Sequence, residues 1–366
     1  YAEPFSKWLR VSETAEAVGA DAADAIAASQ SDVPGIATLL LPANTAWDPG
    51  GQLADKVPVT GPKSVDHEVI REAARRLEKA RRAVILVNGS AVREQGLEAV
   101  ARIREKTGAT AYLSTFHARA ERGAGRVNIP KLPYFPDQIY AALDDCDELI
   151  LVGQDRPVTF FAYPGKKSDC TPEGVEPFKL STLADDQIGA LEALADEVGA
   201  PAIGKLMTDP RSALVIPELQ SGELTPRSAG HAIAALLPEN AIIADESTTS
   251  GGTAYHLTAN APQHDLIAVT GGAIGGGIPL AIGAAVACPE RKVVNLQADG
   301  SGMYTIQGLW TIAREQLDVT TVIWNNRTYN ILNMELHNVG AANDAGPKAL
   351  SMFDLSNPDI DFCALA

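Results

Sequence analysis

A carboxylate and a carboxamide stand 27 positions apart, and each comes just after an apolar run typical of a buried strand. Asp299 follows residues 293–298, and Asn326 follows residues 319–324 with only Asn325 between. Because neighbouring strands of a parallel sheet end at the same edge, we expect the two side chains to meet there. Their oxygens are the hard ligands that Mg²⁺ binds in company with phosphates.

Gly300 and Ser301 come directly after Asp299 and would bring an anion close to the backbone. Glycine allows a phosphate to approach, and Ser301 is expected to open a helix whose first N–H groups are free. Taken singly, Asp-Gly is an ordinary turn and Asn-Asn an ordinary loop. Their spacing after two apolar strands makes a metal and diphosphate site the stronger interpretation.

The elements that must position these residues alternate regularly after Thr225, which can cap a helix beginning at Pro226. Parallel strands are predicted at 241–244, 266–269, 293–296 and 319–324. Each ends in residues that are polar, glycine-rich or both. Ligands of open α/β sheets bind beyond the carboxyl ends of the strands, so four such ends predict a binding site there.

The paired motif resembles that of the thiamine diphosphate (ThDP)-dependent enzymes, in which Gly-Asp-Gly is followed at a set distance by Asn-Asn. Ala298 stands where that family usually has its first glycine. The resemblance implies that ThDP is bound together with Mg²⁺, and that Asp299, Asn326 and Thr328 hold the metal. The cofactor-binding residues that it implies are Thr248, Thr249, Gly272, Ile274, Asp299, Gly300, Ser301, Asn326, Tyr329 and Ile331.

Residues 271–279 resemble the glycine-rich turn of the same family. The resemblance implies that the Gly272 carbonyl accepts a hydrogen bond from the aminopyrimidine of the cofactor and that Ile274 holds the cofactor bent. The bend brings a base of the cofactor against thiazolium C2. A dinucleotide-binding turn is the competing interpretation, and it is disfavoured because no helix is expected to open here and Pro279 interrupts the pattern.

Thr248 and Thr249, after the strand at 241–244, supply hydroxyls. Capping of the following helix is one interpretation. The match with benzoylformate decarboxylase implies instead that both contact the diphosphate. Phe160, Phe161 and Tyr163 either face the substrate pocket or pack in the core.

Composition divides the chain into three segments of α/β character. Residues 1–60 are expected to hold one helix, one strand and a linker; 61–205 and 206–366 are expected to hold parallel sheets buried on both faces. The resemblance identifies the three as a remnant of a pyrimidine-binding domain, a central domain and a C-terminally incomplete diphosphate-binding domain. Each full domain would be a Rossmann-like, three-layer parallel sheet, and the chain would be a fragment.

The predicted elements of the first two segments are short. In the first, the helix is expected at 15–28 and the strand at 36–41, before a turn-rich linker at 47–61. In the second, strands are expected at 83–87 and 149–152, and an acidic helix at 185–198.

The net charge of −16 argues against nucleic acid as a partner, because phosphate backbones are bound by clustered basic residues. No apolar run is long enough to span a membrane. The cysteines form no metal or disulfide pattern, so buried thiols in a reducing cytoplasm are the simplest interpretation. They are Cys146, Cys170, Cys288 and Cys363.

Within the family, the chain is similar to acetolactate synthase large subunits and to benzoylformate decarboxylase. The first implies decarboxylation of a 2-oxo acid, with pyruvate as donor, followed by carboligation to a second carbonyl. A non-ligating decarboxylase and a catalytically silent ThDP-binding paralogue are the alternatives. The activating glutamate would lie in the missing domain of a partner subunit, so a homodimer or homotetramer is expected. Asp155-Arg156 matches only part of the FAD-binding pattern, which leaves FAD open.

Overall fold

The computed structural model describes all residues from Tyr1 to Ala366 and contains three sheets. The strands are β1 (Trp8–Val11), β2 (Ala37–Leu40), β3 (Ala83–Val87), β4 (Thr110–Leu113), β5 (Arg119–Arg122), β6 (Glu148–Val152), β7 (Phe178–Ser181), β8 (Ala241–Glu246), β9 (His264–Ala268), β10 (Val293–Ala298) and β11 (Val319–Trp324).

The α-helices range from a single turn to nearly four turns. They are α1 (Val18–Gln30), α2 (Ala43–Trp47), α3 (His67–Lys79), α4 (Glu94–Thr107), α5 (Pro136–Leu143), α6 (Gln187–Glu197), α7 (Pro226–Leu236), α8 (Gly252–Leu257), α9 (Gly277–Ala287), α10 (Asp299–Gly302), α11 (Gly308–Arg314), α12 (Asn330–Asn338), α13 (Pro347–Ser351) and α14 (Phe362–Leu365). No helix is both long and apolar enough to cross a membrane.

The first segment contains a small parallel sheet of β1 and β2, against which α1 lies. The predicted helix and the predicted strand are present as α1 and β2. The expectation of a single strand was wrong, because β1 pairs along its whole length with β2. At four residues, with Arg10 inside it, β1 is too short to show a periodic pattern.

The middle segment folds around the parallel order β4-β3-β6-β7. All five residues of β3 are buried, and both faces of the strand are covered by helices. Ile85 and Val87 pack in the cluster with α3, α4 and α6, whereas Val84 and Leu86 pack with α5. The predicted three-layer arrangement, parallel and buried on both faces, is confirmed.

The third segment has the order β11-β10-β8-β9-β5. The first four strands are parallel, as predicted, and Thr225 caps α7 in a capping box with Ser228. Successive residues of β8 face opposite layers. Ala241 and Ile243 pack toward α7 and α8, and Ile242 packs toward α9.

Strand β5 was not predicted, and it joins two segments. It comes from the middle segment but pairs antiparallel with β9, placing Arg119 opposite Ile267 and Arg122 opposite His264. Its sequence, Arg-Ala-Glu-Arg, has the polar alternation of an edge strand and no apolar run. The boundary between the second and third domains near residue 205 stays a prediction, and the sheet crosses it.

The cysteines differ in burial, and none forms a disulfide. Cys146 and Cys170 are buried, as predicted. Cys288 is half-buried and Cys363 is exposed, so the expectation of a buried thiol was wrong for Cys363.

Candidate cofactor site

The carboxyl ends of β8, β10 and β11 lie side by side. In the register of the sheet, Gln297 pairs with Glu246, and Ala298 pairs with Trp324. Strands β8 and β10 are neighbours in the sheet although β9 lies between them in the sequence, because β9 pairs with the other edge of β8. Asp299 therefore begins the loop at a switch point, where open α/β sheets bind ligands.

Asp299 is a buried carboxylate, only 3% exposed. Its Oδ1 accepts from the Gly300 N–H at 2.8 Å and its Oδ2 from the Arg327 N–H at 2.7 Å. None of the ion pairs of the chain involves it, although Arg327 pairs with Asp359 nearby. A buried anion without a cation is costly, so this environment fits a bound cation.

Two further oxygens follow β11. Asn326 is exposed; its amide nitrogen donates to Ser250 Oγ at 3.3 Å and its Oδ1 accepts from the Thr328 N–H at 3.0 Å. The Thr328 hydroxyl donates to the Phe353 carbonyl at 2.9 Å. The same hydroxyl oxygen accepts from Asn333 Nδ2 at 3.1 Å. The backbone carbonyl of Thr328 accepts only from the Asn330 N–H at 2.9 Å and keeps a second lone pair, so it is the better candidate ligand for a metal. Carboxylate, carboxamide and carbonyl oxygens form a donor set that fits Mg²⁺.

Gly300 lies against the ring of Tyr329. A side chain at this position would clash with that ring and would also contact Leu355. Burial raises the pKa of Tyr329, and the nearby Tyr304 and Asp299 add to the shift, so its phenol stays protonated at neutral pH. The glycine is therefore required by the protein itself, besides any phosphate that approaches it.

The prediction that Ser301 opens the helix was wrong. Helix α10 begins at Asp299 and is a single turn, with Ala298 as its N-cap. The Ser301 hydroxyl accepts from Gln297 Nε2 at 2.7 Å and donates to the Ala298 carbonyl at 3.3 Å. The hydroxyl is thus held toward the sheet.

Thr248 and Thr249 lie in the turn between β8 and α8 and have no hydroxyl hydrogen bond within the protein. Thr248 is exposed and has a φ of 45°, which is strained for a β-branched residue. Gly251 is the N-cap of α8 and gives no side-chain hydrogen bond, so the capping interpretation was wrong. Both hydroxyls stay available to a ligand.

The glycine-rich turn follows β9 and has left-handed backbone at Gly271 (φ 62°) and Gly272 (φ 67°). Ile274 projects from it and is 61% exposed. Helix α9 begins at Gly277, and Pro279 lies in its first turn, where proline is tolerated. The expectation that no helix begins here was therefore wrong. The absence of a helix can no longer be used as an argument against a dinucleotide-binding turn.

Glu246, at the end of β8, was missed as a site residue. It is 6% exposed; its Oε1 accepts from the Gly275 N–H at 2.5 Å, and its Oε2 from the Gly277 N–H at 2.7 Å. Gln297 Nε2 donates to Oε2 at 2.9 Å and also to Ser301. The sequence did offer one signal for this residue, a carboxylate at the end of an apolar strand. Its two hydrogen-bond partners are 29 and 31 residues away, so local patterns could not identify them.

The remaining predicted residues divide between site and core. Ile331 is half-buried on α12, one residue after that helix begins. Phe160 and Phe161 are 41% and 47% exposed, and Phe160 lies over Gly272. Tyr163 is 5% exposed, so core packing holds for this residue alone of the three.

Residues 247–366 match the family described as thiamine pyrophosphate enzyme, C-terminal TPP binding domain. A candidate acetolactate synthase large subunit of Mycobacterium tuberculosis is 47% identical over 362 residues, covering 99% of this chain and 68% of that protein. Benzoylformate decarboxylase of Pseudomonas aeruginosa is 28% identical over 61% of this chain and 42% of its own length.

Among solved structures, a ThDP-dependent 4-hydroxybenzoylformate decarboxylase of Rhodococcus jostii has a TM-score of 0.76 at 24% identity. The match covers all of this chain and 70% of that one, and it shows a common fold. The chain belongs to the thiamine pyrophosphate enzymes. Within that family it is a homologue of acetolactate synthase large subunits.

Proposed function

We propose that the protein catalyses ThDP- and Mg²⁺-dependent decarboxylation of a 2-oxo acid and joins the remaining acyl unit to a second carbonyl, as acetolactate synthases do. Pyruvate is the donor that the similarity favours. The observation that carries the proposal is the buried Asp299 without a cationic partner, beside the oxygens of Asn326 and Thr328. ThDP, when bound, supplies the carbanion that attacks the 2-oxo acid and the electron sink that lets CO₂ leave.

The residues of this chain would bind and orient that cofactor. Asp299, Asn326 and the Thr328 carbonyl would hold Mg²⁺, while the free hydroxyls of Thr248 and Thr249 would bind the diphosphate. On the opposite side, the Gly272 carbonyl and the Ile274 side chain would hold the aminopyrimidine in its bent form. Tyr329 would keep the metal loop in place through its contact with Gly300, and Ile331 would close the site beyond it.

A benzoylformate decarboxylase-like enzyme that only protonates the acyl unit is the second candidate. Phe160 and Phe161 occupy the stretch in which that enzyme has a histidine, and a phenyl ring supplies no proton. This absence of a proton donor favours carbon–carbon bond formation. A catalytically silent paralogue remains the third candidate, motivated by Ala298 in place of the usual glycine. Association into dimers or tetramers in the cytoplasm belongs to the same proposal.

The first experiment replaces Asp299 by asparagine, which keeps the shape and removes the charge. Calorimetry should show that ThDP affinity in the presence of Mg²⁺ falls by at least about a hundredfold, since even indirect disturbance of a metal site costs 10–100-fold. Asp318→Asn is the matched control, because Asp318 lies exposed at the amino end of β11 and pairs only with Lys292. Unchanged affinity in D299N would contradict the proposal.

Turnover is tested on the natural protein that contains this chain. With pyruvate as sole substrate, we expect release of CO₂ and formation of acetolactate, detected by mass spectrometry. Release of CO₂ with acetaldehyde as the product would favour the second candidate. ThDP binding without release of CO₂ from pyruvate, 2-oxobutyrate or benzoylformate would favour the silent paralogue.

A further inference from the structure

The turn between β8 and α8 has a strained backbone. Residues 247–251, the diphosphate turn, carry the free hydroxyls of Thr248 and Thr249. Thr248 lies in the left-handed region with a φ of 45°, which is unfavourable for a β-branched residue. Such a conformation persists only where the surrounding structure enforces it. The residues that hold the two ends of the diphosphate turn therefore decide where its hydroxyls point.

Asp245 holds the first end of the diphosphate turn. Its Oδ1 accepts from the Ser247 N–H at 2.9 Å and from the Ser247 hydroxyl at 2.5 Å. The Ser247 side chain is buried and packs against Gly251, where a Cβ would clash with the Ser247 hydroxyl. Asp245 therefore fixes the chain immediately before Thr248.

Arg122 holds the helix that follows the diphosphate turn. It belongs to β5 in the middle segment and is 6% exposed. Its Nη2 donates to the Tyr255 carbonyl in the last turn of α8 at 2.8 Å, and its Nη1 donates to the Thr258 hydroxyl at 3.5 Å. The guanidinium carbon lies 3.8 Å from the centroid of the Tyr255 ring, a cation–π contact. A cation at the carboxyl end of a helix stabilises it, so Arg122 fixes α8.

The charge of Arg122 also acts on the first end of the turn. Arg126 forms an ion pair with Glu94, whereas Arg122 forms none. Burial lowers the pKa of Arg122, and the nearby Tyr255 and Asp245 offset part of this effect. The guanidinium stays protonated at neutral pH, so the charge of Asp245 stabilises it. Asp245 is thus attracted to the same side chain that binds α8.

We propose that Arg122 is a positioning residue for the diphosphate of the cofactor. By binding the end of α8 and attracting Asp245, it keeps the diphosphate turn in its strained conformation and directs the hydroxyls of Thr248 and Thr249 at the phosphates. The inference rests on the proposed function, in which these hydroxyls bind the diphosphate. Arg122 acts through α8 and Asp245 and not by contact with the cofactor, which gives the middle segment a part in cofactor binding.

The test compares ThDP with thiamine, which lacks both phosphates. Calorimetry on the natural protein with Mg²⁺ gives the ThDP affinity, and competition gives that of thiamine. In Arg122→Met, the loss of both donors and of the charge lets the turn relax, so the ratio of ThDP to thiamine affinity should fall about tenfold. A ratio within about twofold of the wild-type value would overturn the inference.

Arg126→Met is the matched control. Arg126 also joins the middle segment to the third sheet, because its Nη1 donates to the His264 carbonyl at 2.9 Å, but it forms no hydrogen bond with α8. R126M should lower the free energy of unfolding and leave the affinity ratio unchanged. An equal fall of the ratio in R126M and R122M would show that any loosening of this junction weakens ThDP binding, and Arg122 would then have no specific role.

A positioning role also makes the effect of Arg122 depend on the threonine hydroxyls. When Thr248→Ala and Thr249→Ala are already present, adding R122M should change the ThDP affinity by less than about twofold. A tenfold loss in that background would overturn the inference.

Arg122→Lys is the milder variant, and it decides the matter if R122M does not fold. Lysine keeps the charge that faces Asp245 and loses the planar fork that binds α8, so the affinity ratio should fall about threefold. A wild-type ratio in R122K would overturn the inference.

The wild-type protein separates this inference from the proposed function. Absence of ThDP binding would contradict the proposed function, on which the inference rests. Binding of ThDP without release of CO₂ would contradict only the proposed reaction, and the affinity ratios would still test Arg122. Binding with release of CO₂, but with an unchanged ratio in R122M and R122K, would contradict only the inference about Arg122.

Discussion

At the scale of single residues, Glu246 links the two sides of the candidate site. One carboxylate oxygen binds the Gly275 N–H and the other binds the Gly277 N–H, which holds the turn carrying Ile274. Gln297 Nε2 donates both to this carboxylate and to the Ser301 hydroxyl, which lies on the side of the proposed metal ligand Asp299. The turn contains several left-handed glycines and so has a high conformational entropy to lose, which makes such a clamp necessary.

Replacing Glu246 by glutamine tests this clamp. The amide of glutamine would direct a donor at one of the two glycine N–H groups, so we expect faster amide exchange at Gly275 and Gly277. ThDP affinity should fall about tenfold. If Glu246 acts by placing Ile274, the effects of E246Q and I274A on ThDP affinity should be non-additive. Additive effects would show that the turn and Ile274 act independently.

A matched control for E246Q is available in the middle segment. Asp147 also accepts from two backbone N–H groups, those of Arg81 and Arg82, at 3.0 and 2.8 Å. Asp147→Asn should alter amide exchange there and leave ThDP affinity unchanged.

At the scale of elements, the loop after β10 is packed against the loop after β11. Gly300 is the second residue of the first loop, and Tyr329 is the last residue of the second. The Tyr329 ring occupies the space that a side chain on Gly300 would need. The Tyr329 N–H donates to the Phe353 carbonyl at 2.9 Å, and this hydrogen bond holds the backbone that carries the ring. The two loops that carry the proposed metal ligands therefore fix each other's position.

Gly300→Ala should destabilise the protein by about 1–3 kcal/mol, as overpacking does. Urea denaturation measures this loss of stability. Adding Tyr329→Ala removes the ring that the new methyl group would meet, so the methyl group should cost little stability in the Tyr329→Ala background. Gly283→Ala is the control: Gly283 lies within α9 and a Cβ there meets nothing within 4 Å. That change should stabilise by up to about 1 kcal/mol. Equal destabilisation by both changes would contradict the role of Tyr329.

At the scale of the whole molecule, β5 joins the middle segment to the third sheet, and two buried histidines lie at this junction. His117, just before β5, is 2% exposed, and His264, opposite Arg122, is fully buried. Burial lowers the pKa of each to about 4. The folded state therefore favours the neutral form of both rings.

Acid should weaken the fold through these two groups. An unfolded histidine takes up a proton near pH 6.5, whereas the folded one does so only near pH 4, so the unfolded state binds more protons between these values. The free energy of unfolding should fall as pH drops through this window, by on the order of 3 kcal/mol for each residue. Urea denaturation at several pH values should show a flatter dependence in H264Q than in the exposed-site variant H67Q. If the free energy of unfolding depended on pH equally in both variants, His264 would not be a source of the acid sensitivity.

The sequence determined the elements whose signal is local. The all-apolar strand β3 and the capped start of α7 match the predicted bounds, because burial on both faces and helix capping each leave a signal within a few consecutive residues. The edge strand β11 also matches, because its run of β-branched residues favours a strand. The positions of Asp299 and Asn326 at neighbouring strand ends followed for the same reason.

Only the tertiary structure decided the contacts between distant residues. Strand β5 has no apolar pattern and exists because β9 offers an edge, while the partners of Glu246 and Arg122 lie far away in the chain. Whether an aromatic side chain stays exposed or packs in the core also depends on what lies opposite, as Phe160 and Tyr163 show. Periodicity reports which side of an element is apolar, but pairing and packing depend on the surface that the rest of the chain brings against it.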